Sequence, residues 1–82
     1  MKTAKLYTVT QAVVDAIESL PWDVEWKCYD LFAKARFNLL VNGNQSKPYD
    51  GTLQRIMRRY RHVYHIKCVN INKSIYVKKS DE

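Results

Sequence analysis

The chain has 82 residues, a net charge of +6 at pH 7, and contents of 46% hydrophobic and 27% charged residues. This length allows one small domain with a single core, and the composition excludes a disordered chain. No apolar run approaches the roughly 20 residues that a membrane-spanning helix needs, and residues 1–5 are not followed by the apolar core of a signal peptide. We therefore expect a cytoplasmic protein without a membrane partner.

The first predicted helix covers about residues 9–20 and ends before Pro21. Thr8 and Gln11 have the spacing of a capping box, and Tyr7 is placed to act as a hydrophobic staple. The face predicted to be buried consists of Val9, Val13, Ala16, Ile17 and Leu20. We interpret this helix as a support for the rest of the fold.

A second helix is predicted over about residues 28–41, after a link that leaves room for a short extra strand near 24–27. We expect Trp22 and Trp26 in this link to fill the core or its edge, because large aromatic residues at the junctions of a small domain usually fill volume. The alternative is that they stack on bases. The inner side of the helix is predicted to contain Leu31, Phe32, Ala35, Leu39 and Leu40, and the outer side Lys34, Arg36 and Asn38.

The third predicted helix is short and basic, over about residues 51–61. Pro48 marks its start, and Asp50 is placed as its N-cap. Its apolar residues have the i, i+3, i+4, i+7 spacing of one buried face and are Leu53, Ile56, Met57 and Tyr60. The other side presents Gln54, Arg55, Arg58 and Arg59. Residues 42–82 hold nine Lys or Arg and three acids, whereas residues 1–41 hold five of each, so this half indicates an anionic partner.

From residue 62 onwards the apolar pattern alternates and predicts a two-stranded antiparallel hairpin. With a two-residue turn at Asn72 and Lys73, Cys68 pairs with Val77. That register also pairs Ile66 with Lys79. The face predicted to pack on the helices contains Tyr64, Ile66, Cys68, Asn70 and Ile75. The exposed face is predicted to contain His65, Lys67, Val69, Tyr76 and Lys78.

This order of elements resembles the winged helix-turn-helix family of DNA-binding domains. The resemblance covers residues 8–79 and is most specific in PYDGTLQRIMRRYR at 48–61, YHIKCVN at 64–70 and KSIY at 73–76. It implies an α+β fold of three helices and a two-stranded antiparallel hairpin, in one domain over 1–82 with its core at about 8–79 and a frayed tail at 80–82. In this family the third helix enters the major groove and the wing touches the neighbouring backbone or minor groove. The chain departs from the family in lacking a long glycine-rich wing.

The resemblance implies double-stranded DNA as the partner of a transcriptional regulator or phage accessory protein, at the nucleoid or in the host cytoplasm. The forked guanidinium group of an arginine can bind a phosphate or the O6/N7 edge of guanine. Gln54 can pair with adenine, and Thr52 and the lysines can bind phosphates. The residues expected to bind nucleic acid are Lys47, Tyr49, Thr52, Gln54, Arg55, Arg58, Arg59, Lys73 and Lys78. Three alternatives remain for this face: RNA, an acidic protein bound by a phage-type inhibitor, or solvent alone.

The sequence does not predict an enzyme. It contains no paired carboxylates, nucleophile elbow or phosphate-binding glycine loop, and has only two glycines. Cys28 and Cys68 belong to no close-spaced pair, so both are expected to be reduced thiols. His62, His65 and Cys68 have ligand-like spacing, but in a strand His65 would point away from the other two, so we expect no metal or cofactor. No heptad or exposed apolar run predicts an oligomer.

Overall fold

The structure is a computed structural model that describes residues 7–80. Its elements, in chain order, are α1 (Val9–Ser19), β1 (Glu25–Lys27), α2 (Cys28–Val41), α3 (Asp50–Arg59), β2 (Ile66–Asn70) and β3 (Ile75–Lys78). The strands form one antiparallel sheet in the order β1-β3-β2. The α+β class, the three helices and the hairpin are therefore confirmed, and the extra strand expected near 24–27 is β1. Residues 81 and 82 of the predicted tail lie outside the described residues.

Local sequence explains where α1 begins and ends. The side chain of Thr8 accepts a hydrogen bond from the backbone N–H of Gln11 at 3.0 Å, which confirms the predicted N-cap. The hydroxyl of Tyr7 donates to Asp15 at 2.6 Å, so this partly buried ring is also tied to the helix by a polar contact. The fully buried residues of α1 are Ala12, Val13, Ala16 and Ile17. Within residues 7–80, no helix has the length and apolar content needed to cross a membrane.

The core lies between the three helices and one face of the sheet. Trp26 on β1 stacks on Tyr76 of β3, with ring centroids 5.5 Å apart and an interplanar angle of 22°. The expected core position of Trp26 is confirmed, whereas Trp22 lies at the edge and is about half exposed. The buried residues are completed by Leu20, Cys28, Leu31, Phe32, Ala35, Leu39, Leu53, Ile56, Met57 and Ile66.

Helix α2 has the predicted bounds, but its two sides differ from the prediction at two residues. Leu40, expected in the core, is exposed. Asn38, expected to face outward, is only partly exposed, and its amide donates to the carbonyl of Ala12 at 3.1 Å. This hydrogen bond joins α2 to α1.

The predicted register of the hairpin holds where Asn70 faces Ile75, next to the turn, but is wrong by one residue farther from it. Ile66 faces Lys78 and Cys68 faces Tyr76, and the pairing shifts between Cys68 and Asn70. The connecting turn covers four residues, 71–74, instead of two. Its Ser74 has a φ of 53°, and the side chain of Asn70 accepts from the N–H of Lys73.

A one-residue shift exchanges the two faces of a strand. Tyr76 and Lys78 therefore point into the molecule, although the sequence predicted them on the exposed face. The strand also begins later than predicted, because residues 60–65 form turns.

Candidate nucleic-acid interface

Helix α3 buries one face and exposes a basic one. Leu53, Ile56 and Met57 are buried, as the apolar stripe predicted. On the other side Arg55, Arg58 and Arg59 are exposed; we call these three residues the arginine triplet. The helix ends at Arg59, two residues earlier than predicted, and Tyr60 follows it as the C-cap.

The start of α3 is held by an arginine of α2. The predicted N-cap role of Asp50 is wrong: Tyr49 occupies the N-cap position, and no side chain caps the helix. The carboxylate of Asp50 instead accepts from Nη2 of Arg36 at 2.6 Å, and the same nitrogen donates to the carbonyl of Pro48 at 2.9 Å. One guanidinium therefore links α2 to the loop and to the first residue of α3.

No acid within residues 7–80 forms an ion pair with the arginine triplet. The ion pairs formed among residues 7–80 are Arg36 with Asp50 and Lys79 with Asp23. Arg55 is separated from the other two arginines by three and four residues, which are the spacings at which like charges repel on a helix. Arg58 also lies close to the buried Tyr76, whose pKa is raised mainly by burial, and the arginine charge opposes this rise.

Residues of α3 and of the β2–β3 turn line the same groove, which has a volume of about 390 Å³. Among its lining residues are Gln54 of α3 and Lys73 of the turn, which were both predicted to bind nucleic acid. The groove also contains Lys27 at the end of β1 and Tyr29 in the first turn of α2, which the sequence analysis missed. Helical spacing alone places Tyr29 on the outer side of α2, but only the pairing of β1 with β3 brings this helix end beside the turn.

Three other predicted residues, Lys47, Tyr49 and Thr52, are exposed. Thr52 is in the first turn of α3. Lys47 lines a different groove, together with Arg36 and Leu40. The structure therefore does not bring Lys47 into the groove that holds Gln54 and Lys73.

The predicted role of Lys78 in binding nucleic acid is wrong. Its side chain is buried, with 2% of the residue exposed, and its ammonium donates to the carbonyl of Ile17 at 2.8 Å. Burial lowers the pKa of Lys78, and the negative charge of Glu18 opposes this change. The shift in hairpin register accounts for the error.

The residues considered as metal ligands are not arranged as the sequence analysis assumed. His62 and His65 precede β2 instead of lying in it, and His65 has a φ of 53°. No group of three or more His, Cys, Asp or Glu that could hold a metal occurs within residues 7–80. Cys28 and Cys68 are free thiols.

No protein-family model matches this chain, and no curated protein or solved structure is similar to it at a significant level.

Proposed function

We propose that the chain is a winged helix-turn-helix domain that binds double-stranded DNA, with α3 in the major groove and the β2–β3 turn against the backbone. The observation that carries the proposal is the exposed arginine triplet, which no acid of residues 7–80 neutralises. Three helices and an antiparallel sheet of order β1-β3-β2 are compatible with this type of domain. The proposed role is that of a transcriptional regulator or phage accessory protein without enzymatic activity, acting in the cytoplasm.

The shape of α3 supports a contact in the groove of a duplex. A helix with its side chains is about 10–12 Å wide, and the major groove of B-DNA is about 12 Å wide. Leu53, Ile56 and Met57 anchor the helix in the core, so the arginine triplet extends from a fixed support. In this arrangement the arginines contact phosphates or guanine, and Gln54 contacts adenine.

The turn between β2 and β3 adds a second contact. Lys73 lines the same groove as Gln54, so a duplex that meets α3 also meets the lysine ammonium. Lys73 suits a phosphate, as does Thr52, which is exposed. The turn is short and contains no glycine, which favours contact with the backbone over deep insertion into the minor groove.

Duplex DNA is favoured over RNA for a geometric reason. The major groove of A-form RNA is deep and narrow and does not admit a helix, whereas that of B-DNA does. A helix that presents its cations from one face therefore fits the DNA groove better. RNA and an acidic protein are the alternative partners of the arginine triplet.

The test measures binding of the 82-residue protein to a labelled DNA duplex, an RNA hairpin and a single strand of equal charge, by fluorescence anisotropy at about 50 and 200 mM salt. The informative variant is Arg55→Ala/Arg58→Ala. The matched control, Lys34→Ala/Lys79→Ala, removes the same charge from α2 and from the residue that follows β3. Circular dichroism checks that all three proteins fold.

We expect wild type to prefer the duplex. The arginine variant should lose at least about tenfold in affinity, and its plot of log affinity against log salt should be shallower by about 2. The control should keep most of the affinity and the wild-type slope. Equal affinity of the two variants, or tighter binding to the RNA hairpin than to the duplex, would contradict the proposal.

A further inference from the structure

The second half of α2 has an apolar side that nothing in residues 7–80 covers. Phe37, Leu40 and Val41 are 61%, 71% and 59% exposed. Their i, i+3, i+4 spacing places them side by side on the helix. The sequence analysis placed Leu40 in the core and therefore did not identify this apolar side. Contiguous exposed apolar patches are uncommon on monomeric proteins, and large ones mark interaction sites.

A preformed groove runs beside this patch. It has a volume of about 560 Å³ and lies between α2 and the loop that follows it, with Leu40, Asn44 and Lys47 among its lining residues. The amide of Asn44 donates to the carbonyl of Tyr7 at 2.7 Å, and its side-chain oxygen accepts from the N–H of Ser46 at 2.8 Å. These hydrogen bonds fix the conformation of the loop that forms one side of the groove.

The charged residues nearest to the patch in the sequence are all basic. Residues 31–49 contain Lys34, Arg36 and Lys47 but no Asp or Glu. Arg36 is already paired with Asp50, whereas both lysines are exposed and form no ion pair with residues 7–80. In a two-fold pair of copies these cations would face one another, so charge disfavours a homodimer and favours an acidic partner.

We infer that Phe37, Leu40 and Val41, with Lys34 and Lys47 at their edge, bind an acidic amphipathic helix of another protein. We call these five residues the α2 outer face. The partner's apolar side chains would enter the groove beside Leu40, and its carboxylates would meet the two lysines. The α2 outer face contains no residue of α3 or of the groove with Gln54 and Lys73, so a DNA-bound domain could recruit this partner.

The test uses three labelled synthetic peptides and the 82-residue protein. The first peptide has leucines at helical i, i+3, i+4, i+7 spacing and glutamate on the other faces. The second carries lysine in place of glutamate, and the third carries serine in place of leucine. Fluorescence anisotropy should show binding of the first peptide alone, with saturation at micromolar protein.

Two variants examine the two components of the site. Phe37→Ser/Leu40→Ser and Lys34→Glu/Lys47→Glu should each weaken binding of the acidic peptide at least tenfold. The charge-reversed variant should gain binding of the lysine peptide. The matched control is Val63→Ser/Ile71→Ser, which removes two equally exposed apolar side chains outside the α2 outer face and should bind as wild type does.

Three results would overturn the inference. The first is that the acidic peptide does not bind at about 100 μM protein, because its affinity would then be too low for a specific site. The second is equal binding of the serine peptide, which would indicate attraction of charge alone. The third is a dimer, seen by sedimentation, that Phe37→Ser/Leu40→Ser dissociates, because it would assign the face to a second copy. Duplex binding by Phe37→Ser/Leu40→Ser, measured in parallel, separates failure of this inference from failure of the DNA proposal.

Discussion

The ammonium of Lys78 donates a hydrogen bond to the carbonyl of Ile17 at 2.8 Å and thereby joins β3 to the last turns of α1. The same nitrogen lies 4.4 Å from the centre of the Trp22 ring. A cation at this position is favoured by the negative end of the helix dipole and by the face of the indole. These contacts offset part of the free energy that burial of the charge costs.

Lys78→Ala should therefore destabilise the fold even though lysines usually lie at the surface. We expect the free energy of unfolding to fall by about 2–4 kcal/mol, because a buried side chain and a charge-assisted hydrogen bond are lost. Urea unfolding followed by circular dichroism measures this change. Lys79→Ala, one residue along, is the control and should have a much smaller effect. Similar stability of the two variants would contradict the buried position of Lys78.

Arg36→Ala should loosen the connection between α2 and α3. Its guanidinium bonds both Pro48 and Asp50, but the side chains of the ion pair are 41% and 65% exposed, so solvent weakens the attraction. We expect a loss of about 1 kcal/mol in urea unfolding. Lys34→Ala on the same helix should have little effect. A double-mutant cycle with Asp50→Ala should give a coupling energy of about 0.5 kcal/mol, and zero coupling would exclude the pair in solution.

Alkaline pH should destabilise the protein through two tyrosines bonded to α1. The hydrogen bond to Glu18 and, to a smaller extent, burial raise the pKa of Tyr64 to about 12, and burial followed by the hydrogen bond to Asp15 does the same for Tyr7. The folded state keeps these protons above pH 10, where the unfolded state loses them. The stability they contribute is therefore present below pH 10 and is lost as the pH rises through about 12.

Tyr64→Phe should reduce this pH dependence. We expect its free energy of unfolding to change less between about pH 8 and about pH 11 than that of wild type, because one of the two raised groups is absent. The lowered pKa of Lys78 acts in the opposite direction, because it adds stability as the pH rises towards the ordinary pKa of lysine. This contribution is the same in both proteins. An identical pH dependence in wild type and variant would show that the bond to Glu18 does not form.

Ser74→Gly should stabilise the hairpin. Ser74 has a φ of 53°, a left-handed conformation that costs a residue with a side chain about 1–2 kcal/mol and costs glycine almost nothing. Because glycine loses about 0.5–1 kcal/mol of chain entropy on folding, the net gain should be about 0.5–1 kcal/mol in urea unfolding. Ser46→Gly, at a loop position without a positive φ, has only the entropic loss and should lower stability.

The helices could be predicted because their signals are local. The bounds of α2 agree with the sequence prediction, and the N-cap at Thr8 is where the spacing placed it, although the side chain of Gln11 bonds Asp15 and does not complete the capping box. The exposure of the arginine triplet also follows from helical spacing once Leu53, Ile56 and Met57 face the core. These features depend on residues within one or two turns of each other.

The hairpin register and the groove depend on contacts that are distant in the sequence. The register changes by one residue at an irregularity between Cys68 and Asn70, and this change decides whether Lys78 is buried. Leu40 fits a core position by hydrophobicity, yet the packing of α2 leaves it outside. The pairing of β1 with β3 joins residues about 50 positions apart, and no local sequence pattern predicts such a pairing.

The central position of β3 has a consequence for the order in which the domain forms. Strands β1 and β2 do not pair with each other and meet only across β3, the last element of the described chain. On the ribosome, the sheet therefore cannot assemble until residues 75–78 have left the exit tunnel. Until then the indole of Trp26 lacks Tyr76, its stacking partner, and the emerging polypeptide exposes apolar surface that chaperones bind.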